Sequence, residues 1–341
     1  MLILVIRFSS LGDVVLAGAA VRALVRAHPE AQVVLATKAE YAVLYDHYDL
    51  PLTVAGYDHR QGWRSFTAQW SGVVFDRVID LHRSWRSGSL NRRVKSRLVT
   101  KVDKQFSRRL GMVWRKRGLE RPLSTLAGYL EAVRFPGGPP LAGKPRLCLS
   151  AGEQECAHAL RQKWPRALGI GWGARHPTKA VPPEQWARLV LGLEPGSLDA
   201  VRIFGMESDR RDIEPFMAAL GERIPAIDFA SRCGLSLRDA MVEIAALSAF
   251  ASSDSGLMHV AAALGVPTFG LFGPTHPSLG FAPLGPGSAA FHAGTWCSPC
   301  HRHGKAPCYR ERRFCFEELD MGKIGRTIAP HLASGPEVAS R

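Results

Sequence analysis

Three groups of residues in this chain are of types that can do chemistry. The first is Ser253-Asp254-Ser255-Gly256. An apolar run, Ala249 to Ser252, leads into this acidic turn; a small-residue helix starts at Gly256, and Gly265-Val266-Pro267 stops it before a second apolar run, Thr268 to Phe272. The unpaired N–H groups and the dipole at such a helix start favour an anion, and Gly256 lacks the side chain that would keep a phosphate away. Simple capping of the helix by Asp254 and Ser255 accounts for the same residues equally well. The second group is Ser9-Ser10-Leu11-Gly12-Asp13, two hydroxyls and a carboxylate where the apolar run Leu2 to Ile6 gives way to a helix; there Asp13 can serve as a first-turn acid worth about 0.5–2 kcal/mol. The third is Cys297-x2-Cys300-x7-Cys308-x6-Cys315. One tight CxxC and two further thiols suit a tetrahedral zinc, although the second pair is too widely spaced for a knuckle, and reduced packing thiols are the alternative.

The elements that must hold these groups alternate. Leu2 to Ile6 is a continuous β-branched run, as in a strand buried on both faces of a parallel sheet, and Val14 to Ala27 has helical periodicity. Strands are expected at Gln32 to Ala36, Leu52 to Ala55, Arg77 to Leu81, Arg97 to Lys101 and Arg146 to Leu149. A second series follows, with strands at Leu168 to Trp172, Ala200 to Phe204 and Ile224 to Asp228, each followed by a helical pattern, and a last helix from Glu317 to Leu332. The first βα turn carries one glycine, so neither a dinucleotide fingerprint nor a P-loop is present. The pattern predicts two α/β domains, 1–160 and 165–320, then the end of the last helix and a tail over 321–341, frayed from Pro336 on.

With 341 residues, 46% of them apolar, the chain is long enough for two cores. It has no membrane-length apolar run and no signal-like start, so a cytoplasmic protein is expected. The net charge is +14, and its placement is informative: between His82 and Arg121 fourteen Lys and Arg face two acids, Asp103 and Glu120. Such a stretch points to an anionic partner: nucleic acid, an anionic membrane surface or a phosphorylated glycolipid. Within it Phe106, Leu110 and Trp114 stand at i, i+4, i+8 spacing, which predicts a core-facing stripe.

The run from Asp254 through Gly265 to Gly273-Pro274-Thr275 resembles the D-S/T-G-x-x-H-x-A-A-A-L-G-x-P…G-P-T pattern of the glycosyltransferase family 9 heptosyltransferases, and Ile6-Arg7-Phe8-Ser9-Ser10-Leu11-Gly12-Asp13 is similar to that family's N-terminal signature. Ser255 stands where many members carry Thr. The resemblance implies a GT-B fold, two Rossmann-like parallel-sheet domains facing across a cleft. It implies Asp13 as catalytic base, with Ser9, Ser10, His82 and Arg83 toward an acidic acceptor. For the donor it implies Lys179 and the Ser255-Gly256 amides on the diphosphate, Asp254 and His259 shaping that pocket, Glu207 on the ribose and Leu235 near the base.

The activity so implied is inverting transfer of heptose from ADP-L-glycero-D-manno-heptose to the lipopolysaccharide inner core. It requires no metal and takes place peripherally at the cytoplasmic face of the inner membrane, where the basic stretch would meet the phosphorylated acceptor. Two other classes stay open: a GT-B enzyme using another nucleotide-sugar, including an epimerase, and a basic nucleic-acid-binding protein. The second would explain the charge but not the order of the loop motifs.

Overall fold

The computed structural model describes residues 1–334; the tail expected from Pro336 lies outside the described residues. They form two compact units, residues 1–106 with 124–148, and residues 107–123 with the chain from Leu149 onward. The first holds β1 (Leu2–Ile6), β2 (Gln32–Lys38), β3 (Thr53–Tyr57), β4 (Val74–Asp80) and β5 (Lys95–Lys101), all parallel in the order β3-β2-β1-β4-β5. The second holds β6 (Ala167–Gly171), β7 (Ala200–Gly205), β8 (Asp228–Cys233), β9 (Ala249–Ser253), β10 (Thr268–Phe272) and β11 (Ala289–His292), again all parallel, in the order β11-β10-β9-β6-β7-β8.

Both orders share one property. Successive strands are laid to one side of the first strand, then the chain crosses back and continues on the other side. The reversal falls between β1 and β4 in one sheet and between β6 and β9 in the other. At such a point the loops leaving neighbouring strands diverge to opposite faces, and a crevice opens at the strands' carboxyl ends.

The central strands are buried throughout, as their uninterrupted apolar runs predict. Helix Leu11–Ala27 is also buried along nearly its whole length, because helix Thr125–Val133 packs on the side that does not face the sheet. The carboxyl end of that second helix is fixed by Arg77 of β4, whose guanidinium donates to the carbonyls of Ala132, Val133 and Arg134 at 2.9–3.0 Å. Among the described residues no helix is long and apolar enough to cross a membrane.

Several elements differ from the pattern. Residues 146–149 are not a strand: Leu147 is buried, but the segment has no ladder partner and forms the junction between the units. The strand expected at 224–228 begins only at Asp228, because Ile224-Pro225-Ala226-Ile227 makes a turn closed by the Ile227 N–H and Ile224 carbonyl at 3.1 Å, with proline at its second position. The last helix runs Met321–Ser334, with a one-turn helix at Phe314–Glu317 before it.

The segment 107–123, placed by sequence in the first domain, belongs to the second unit. Met112, Val113, Leu123 and Leu279 form a small core there, and Ser278 bonds the backbone of Leu119 and Leu123. Helix Phe106–Arg115 therefore does not bury the stripe predicted for it. Trp114 is 78% exposed and Phe106 55% exposed, while Met112 and Val113 fill the core.

The centre of the second sheet leaves no room at β6. A Cβ on Gly169 would stand 2.5 Å from the Phe250 ring on β9 and would also strike Leu247. Gly169→Ala is expected to cost about 1–3 kcal/mol of stability by overpacking, read as a lowered midpoint in chemical denaturation, whereas Gly152→Ala, with open space around it, should leave the midpoint unchanged or raise it.

Candidate active site

In the first unit the reversal point is occupied by a carboxylate. Ser10 caps helix Leu11–Ala27, and Asp13, in its first turn, accepts from the Ser10 hydroxyl at 2.7 Å and the Ser10 N–H at 3.2 Å. Asp13 is thus the first-turn acid its position suggests, but it is more than that. Arg7, leaving β1, pairs with the same carboxylate oxygen at 2.6 Å, and the Tyr129 hydroxyl donates to the other at 3.0 Å. The two charged side chains are only 9% and 15% exposed. Burial pushes the Asp13 carboxyl upward, but the Arg7 charge and the Ser10 and Tyr129 hydrogen bonds outweigh it and bring it down to about 2.

The loop after β4 faces the same point, because Ile6 and Asp80 are register partners on adjacent strands. Asp80 is buried and shapes that loop, accepting from the N–H groups of His82 and Arg83 at 2.9 and 2.7 Å. These bonds hold Arg83 at φ +44°, a left-handed conformation costly for a residue with a side chain. Of the acceptor candidates, His82 stands close to the cluster, edge-on to the Phe8 ring at 5.8 Å, with Nδ1 buried and lacking a hydrogen-bond partner. Burial and the charges of Arg7 and Lys104 lower its pKa to about 4, so it is neutral at ordinary pH. Ser9 is half-buried and Ser10 exposed. Arg83 differs from expectation: its guanidinium donates to the Val102 carbonyl at 2.9 Å. The cation beside the loop is Lys104, on the Arg83 carbonyl at 3.2 Å.

In the second unit the reversal point again holds a carboxylate and a cation. The loop after β6 makes a turn at Pro177–Lys179, and Lys179 Nζ meets Asp254 Oδ2 at 2.7 Å, across from β6 to the end of β9. Thr275, after β10, donates to the same oxygen at 2.8 Å. Ser253 ties the loop down, accepting from the Val181 N–H and donating to the Trp172 carbonyl. Gly304, at φ +68°, lies against the Lys179 stem, where a Cβ would collide with it. Helix Gly256–Ala263 starts beside the pair, with Ser255 extended as its N-cap, and His259 is buried against the edge of the Phe281 ring.

Glu207 and Leu235 follow the neighbouring strands β7 and β8. Glu207 is exposed and held by Arg210, whose hydrogen bonds lower its pKa, at 2.6 and 2.8 Å; Gly234 at φ +74° leaves the space the carboxylate fills. Leu235 is partly exposed just before the Ser236 cap of the next helix.

Cys297, Cys300, Cys308 and Cys315 are all free thiols lining one pocket, so the sequence cluster is a spatial one. Among the described residues no group of three or more His, Cys, Asp or Glu side chains stands where it would hold one metal ion, and burial pushes the Cys315 thiol up to about 12.

Residues the sequence did not single out complete both clusters. Tyr129 is 116 positions from Asp13 in a helix with an ordinary apolar pattern, and Arg7 sits in a run that reads as strand exit. Thr275 and Arg7 did lie in quoted motifs, the Gly273-Pro274-Thr275 turn and the N-terminal signature, while Tyr129 carried no signal.

A model of glycosyltransferase family 9 (heptosyltransferase) matches residues 63–309. Lipopolysaccharide heptosyltransferase 2 of Salmonella typhimurium is 33% identical over 138 residues, 40% of this chain and 39% of that protein. Thus this match spans less than half the length of that relative. Lipopolysaccharide heptosyltransferase 1 of Pseudomonas aeruginosa is 25% identical over 294 residues, 78% of this chain and 76% of that one. Among solved structures, Escherichia coli ADP-heptose lipopolysaccharide heptosyltransferase II superposes with a TM-score of 0.71 at 21% identity, covering 98% of this chain and 99% of that one. A family 9 glycosyltransferase from Veillonella parvula gives 0.74 at 15% identity over 97% of both. These likenesses extend the fold to both units.

Two outcomes follow from the charges. Lys179→Met strands the largely buried Asp254 carboxylate without its cation, with Thr275 still donating to it, and is expected to cost about 3 kcal/mol of stability in denaturant titrations. His82 lies below its ordinary 6.5, so the unfolded chain takes up its proton first as pH falls from 6.5 towards 4, and the native state loses stability over that window. His82→Asn should flatten that part of the stability profile; an unchanged slope would show that His82 is not its source.

Proposed function

We infer, for a chain that belongs to glycosyltransferase family 9 (heptosyltransferase), that it transfers a heptose from a nucleotide-diphosphate heptose, ADP-L-glycero-D-manno-heptose, to the inner core of lipopolysaccharide at the cytoplasmic face of the inner membrane. The observation that carries this reading is the pair of carboxylate clusters at the two reversal points: Asp13 with Arg7, Ser10 and Tyr129, and Asp254 with Lys179 and Thr275.

In the proposed reaction an acceptor sugar hydroxyl gives its proton to Asp13 as its oxygen forms a bond to the anomeric carbon. The bond from that carbon to the diphosphate oxygen breaks, and configuration inverts. With a pKa near 2 Asp13 is ionised at any working pH, ready to accept, and Tyr129 and Ser10 hold it in one orientation. It is a weak base in the ground state, so its contribution lies in partial proton transfer as the acceptor oxygen becomes acidic in the transition state. Asp13 precedes the segment matched by the family model, so this role rests on its surroundings and on the N-terminal signature.

The negative charge that develops on the departing diphosphate is taken up by Lys179 and by the amide N–H groups that open helix Gly256–Ala263. Asp254 already neutralises Lys179, so the pair is an exchangeable one: diphosphate competes with Asp254 for the ammonium, and Asp254 keeps its Thr275 bond. Glu207 would accept from the ribose hydroxyls and Leu235 would lie against the base, with His259 buried behind the helix start. Side-chain and amide donors suffice for the leaving group in this scheme, and no metal is assigned a step.

The test is nucleotide release from ADP-heptose with and without a heptose-deficient lipopolysaccharide. Wild type should release ADP only with acceptor present, and Asp13→Ala should be slower by about 10²-fold or more. Tyr129→Phe keeps the ring over Arg7 but removes the hydroxyl, so the Asp13 pKa should rise from about 2 and the rate fall less than in Asp13→Ala. Release without acceptor, or equal release by Asp13→Ala, would overturn the assignment of Asp13 as the base.

A further inference from the structure

The four clustered cysteines are the motif that the proposed reaction does not use. Cys315 belongs to the second unit's core, but Cys300 and Cys308 are exposed and Cys297 is half-buried, so these three are not packing thiols. The sulfurs share one pocket, and Cys300 lies within electrostatic reach of both Cys297 and Cys308. Cys297 and Cys300 have the C-x-x-C spacing from which a two-thiol redox pair is built. Tyr309 hydrogen-bonds the Cys297 sulfur, and the Lys116 ammonium, bonded to the Pro299 carbonyl between the two cysteines, faces both. A cation and a hydroxyl donor favour a thiolate, the form that attacks a disulfide. Burial, then the neighbouring Cys297 and Cys308 sulfurs, hold the Cys300 thiol above its ordinary value, so Cys297 is the attacking sulfur and Cys300 the resolving one. Once Cys297 is in a mixed disulfide its charge is gone, and one of those causes with it.

The segment that carries this pair also supports both partners of Asp254. The N–H groups of Cys300 and His301 donate to the Pro274 carbonyl at 3.1 and 3.2 Å, the Cys300 thiol donates to the same oxygen at 3.8 Å, and Ser298 donates to the Gly273 carbonyl. Thr275, next in the chain, is the residue that donates to Asp254. On the other side Thr178 donates to the Gly304 carbonyl and Arg313 to the Ala180 carbonyl at 2.9 Å, bracketing Lys179. A bond between Cys297 and Cys300 has to turn the Cys300 sulfur off Pro274 and toward Cys297, within the stretch that anchors the Thr275 turn.

We propose that Cys297 and Cys300 are a reversible thiol–disulfide pair, oxidised by a low-molecular-weight disulfide, and that closing it weakens binding of the nucleotide diphosphate at Lys179. The Cys297 thiolate attacks one sulfur of the oxidant and releases a thiol; Cys300 then attacks Cys297 and releases the second. Two electrons pass from the protein's sulfurs to the oxidant, and the two protons leave on the released thiols. The pair itself is independent of the transferase reading, whereas its effect on the nucleotide rests on that reading.

The full chain is equilibrated with glutathione disulfide or with dithiothreitol, unfolded, blocked with iodoacetamide and cut with trypsin. Residues 239–302 then form one peptide whose cysteines are Cys297 and Cys300, while Cys308 and Cys315 fall on other peptides. After oxidation this peptide should escape alkylation and weigh two hydrogens less than its dithiol form, with Cys308 alkylated. The oxidised chain should bind ADP about fivefold or more weakly in calorimetric titration, and dithiothreitol should restore the affinity. Cys297→Ser/Cys300→Ser should bind ADP as the reduced wild type does and lose the response, whereas Cys308→Ser should keep it. Alkylation of both cysteines in the oxidised chain, a lasting glutathione adduct on either, or a disulfide joining either to another peptide overturns the pair. Equal ADP affinity of the two forms, or the same response in the double variant, overturns the coupling. Reduced wild type without affinity for ADP overturns the transferase reading and the coupling with it, while the peptide still reports the pair.

Discussion

A parallel strand cannot turn straight back to its neighbour; the chain must cross a face of the sheet, and helices come to cover both faces. That constraint makes β1 and β6 continuous apolar runs, and the buried charges in mid-strand of their neighbours, Arg77 and Arg202, are held on backbone carbonyls. It also gathers all carboxyl ends on one edge of each sheet. Where the crossing direction reverses, between β1 and β4 and between β6 and β9, two loops separate and polar groups can approach from both sides. The chemistry of this protein is confined to those two places by topology before any side chain is chosen.

Both places solve the same electrostatic problem in the same way. A carboxylate brought toward the interior is tolerated only with a cation and further hydrogen-bond donors, so Asp13 has Arg7, Ser10 and Tyr129, and Asp254 has Lys179 and Thr275. The supporting groups come from separate elements, and those elements are pinned in turn: Arg77 fixes the helix that carries Tyr129, and Ser253 fixes the loop that carries Lys179. Each site is therefore a junction of several strands, and its geometry is as rigid as the sheet behind it. The two clusters differ in what a ligand must do. At Asp13 the acid is already ionised and oriented; at Lys179 a bound anion has to displace an existing partner.

The basic stretch is divided between two tasks. Lys104 belongs to the Asp13 cluster, through the Arg83 carbonyl, and Arg83 itself serves the backbone. The residues from 107 on pack with the second unit, where Lys116 bonds the Val113 and Pro299 carbonyls and Arg109 lies over Phe281, so part of the charge is structural. Net charge alone does not separate these uses, because it counts a guanidinium on a carbonyl and one in water alike.

The local signals in the sequence were sufficient for the strand-helix alternation, the buried strands and the polar turns at Asp13, Lys179 and Asp254, because periodicity and capping act over a few residues. They misplaced 146–149 and 224–228: an apolar run specifies burial, but a strand also needs a ladder partner and an N–H to offer it, and Pro225 has none. The helical stripe Phe106, Leu110, Trp114 was legible as apolar, yet which face of the helix meets the core depends on where Leu123 and Leu279 arrive, and that is set by residues far along the chain. The same holds for the pairing of Tyr129 with Asp13, of Thr275 with Asp254, and for Arg83 turning to Val102. Spacing in sequence determined which residues could carry charge to the ends of strands. Only the strand order, with its long-range packing, decided which of them meet.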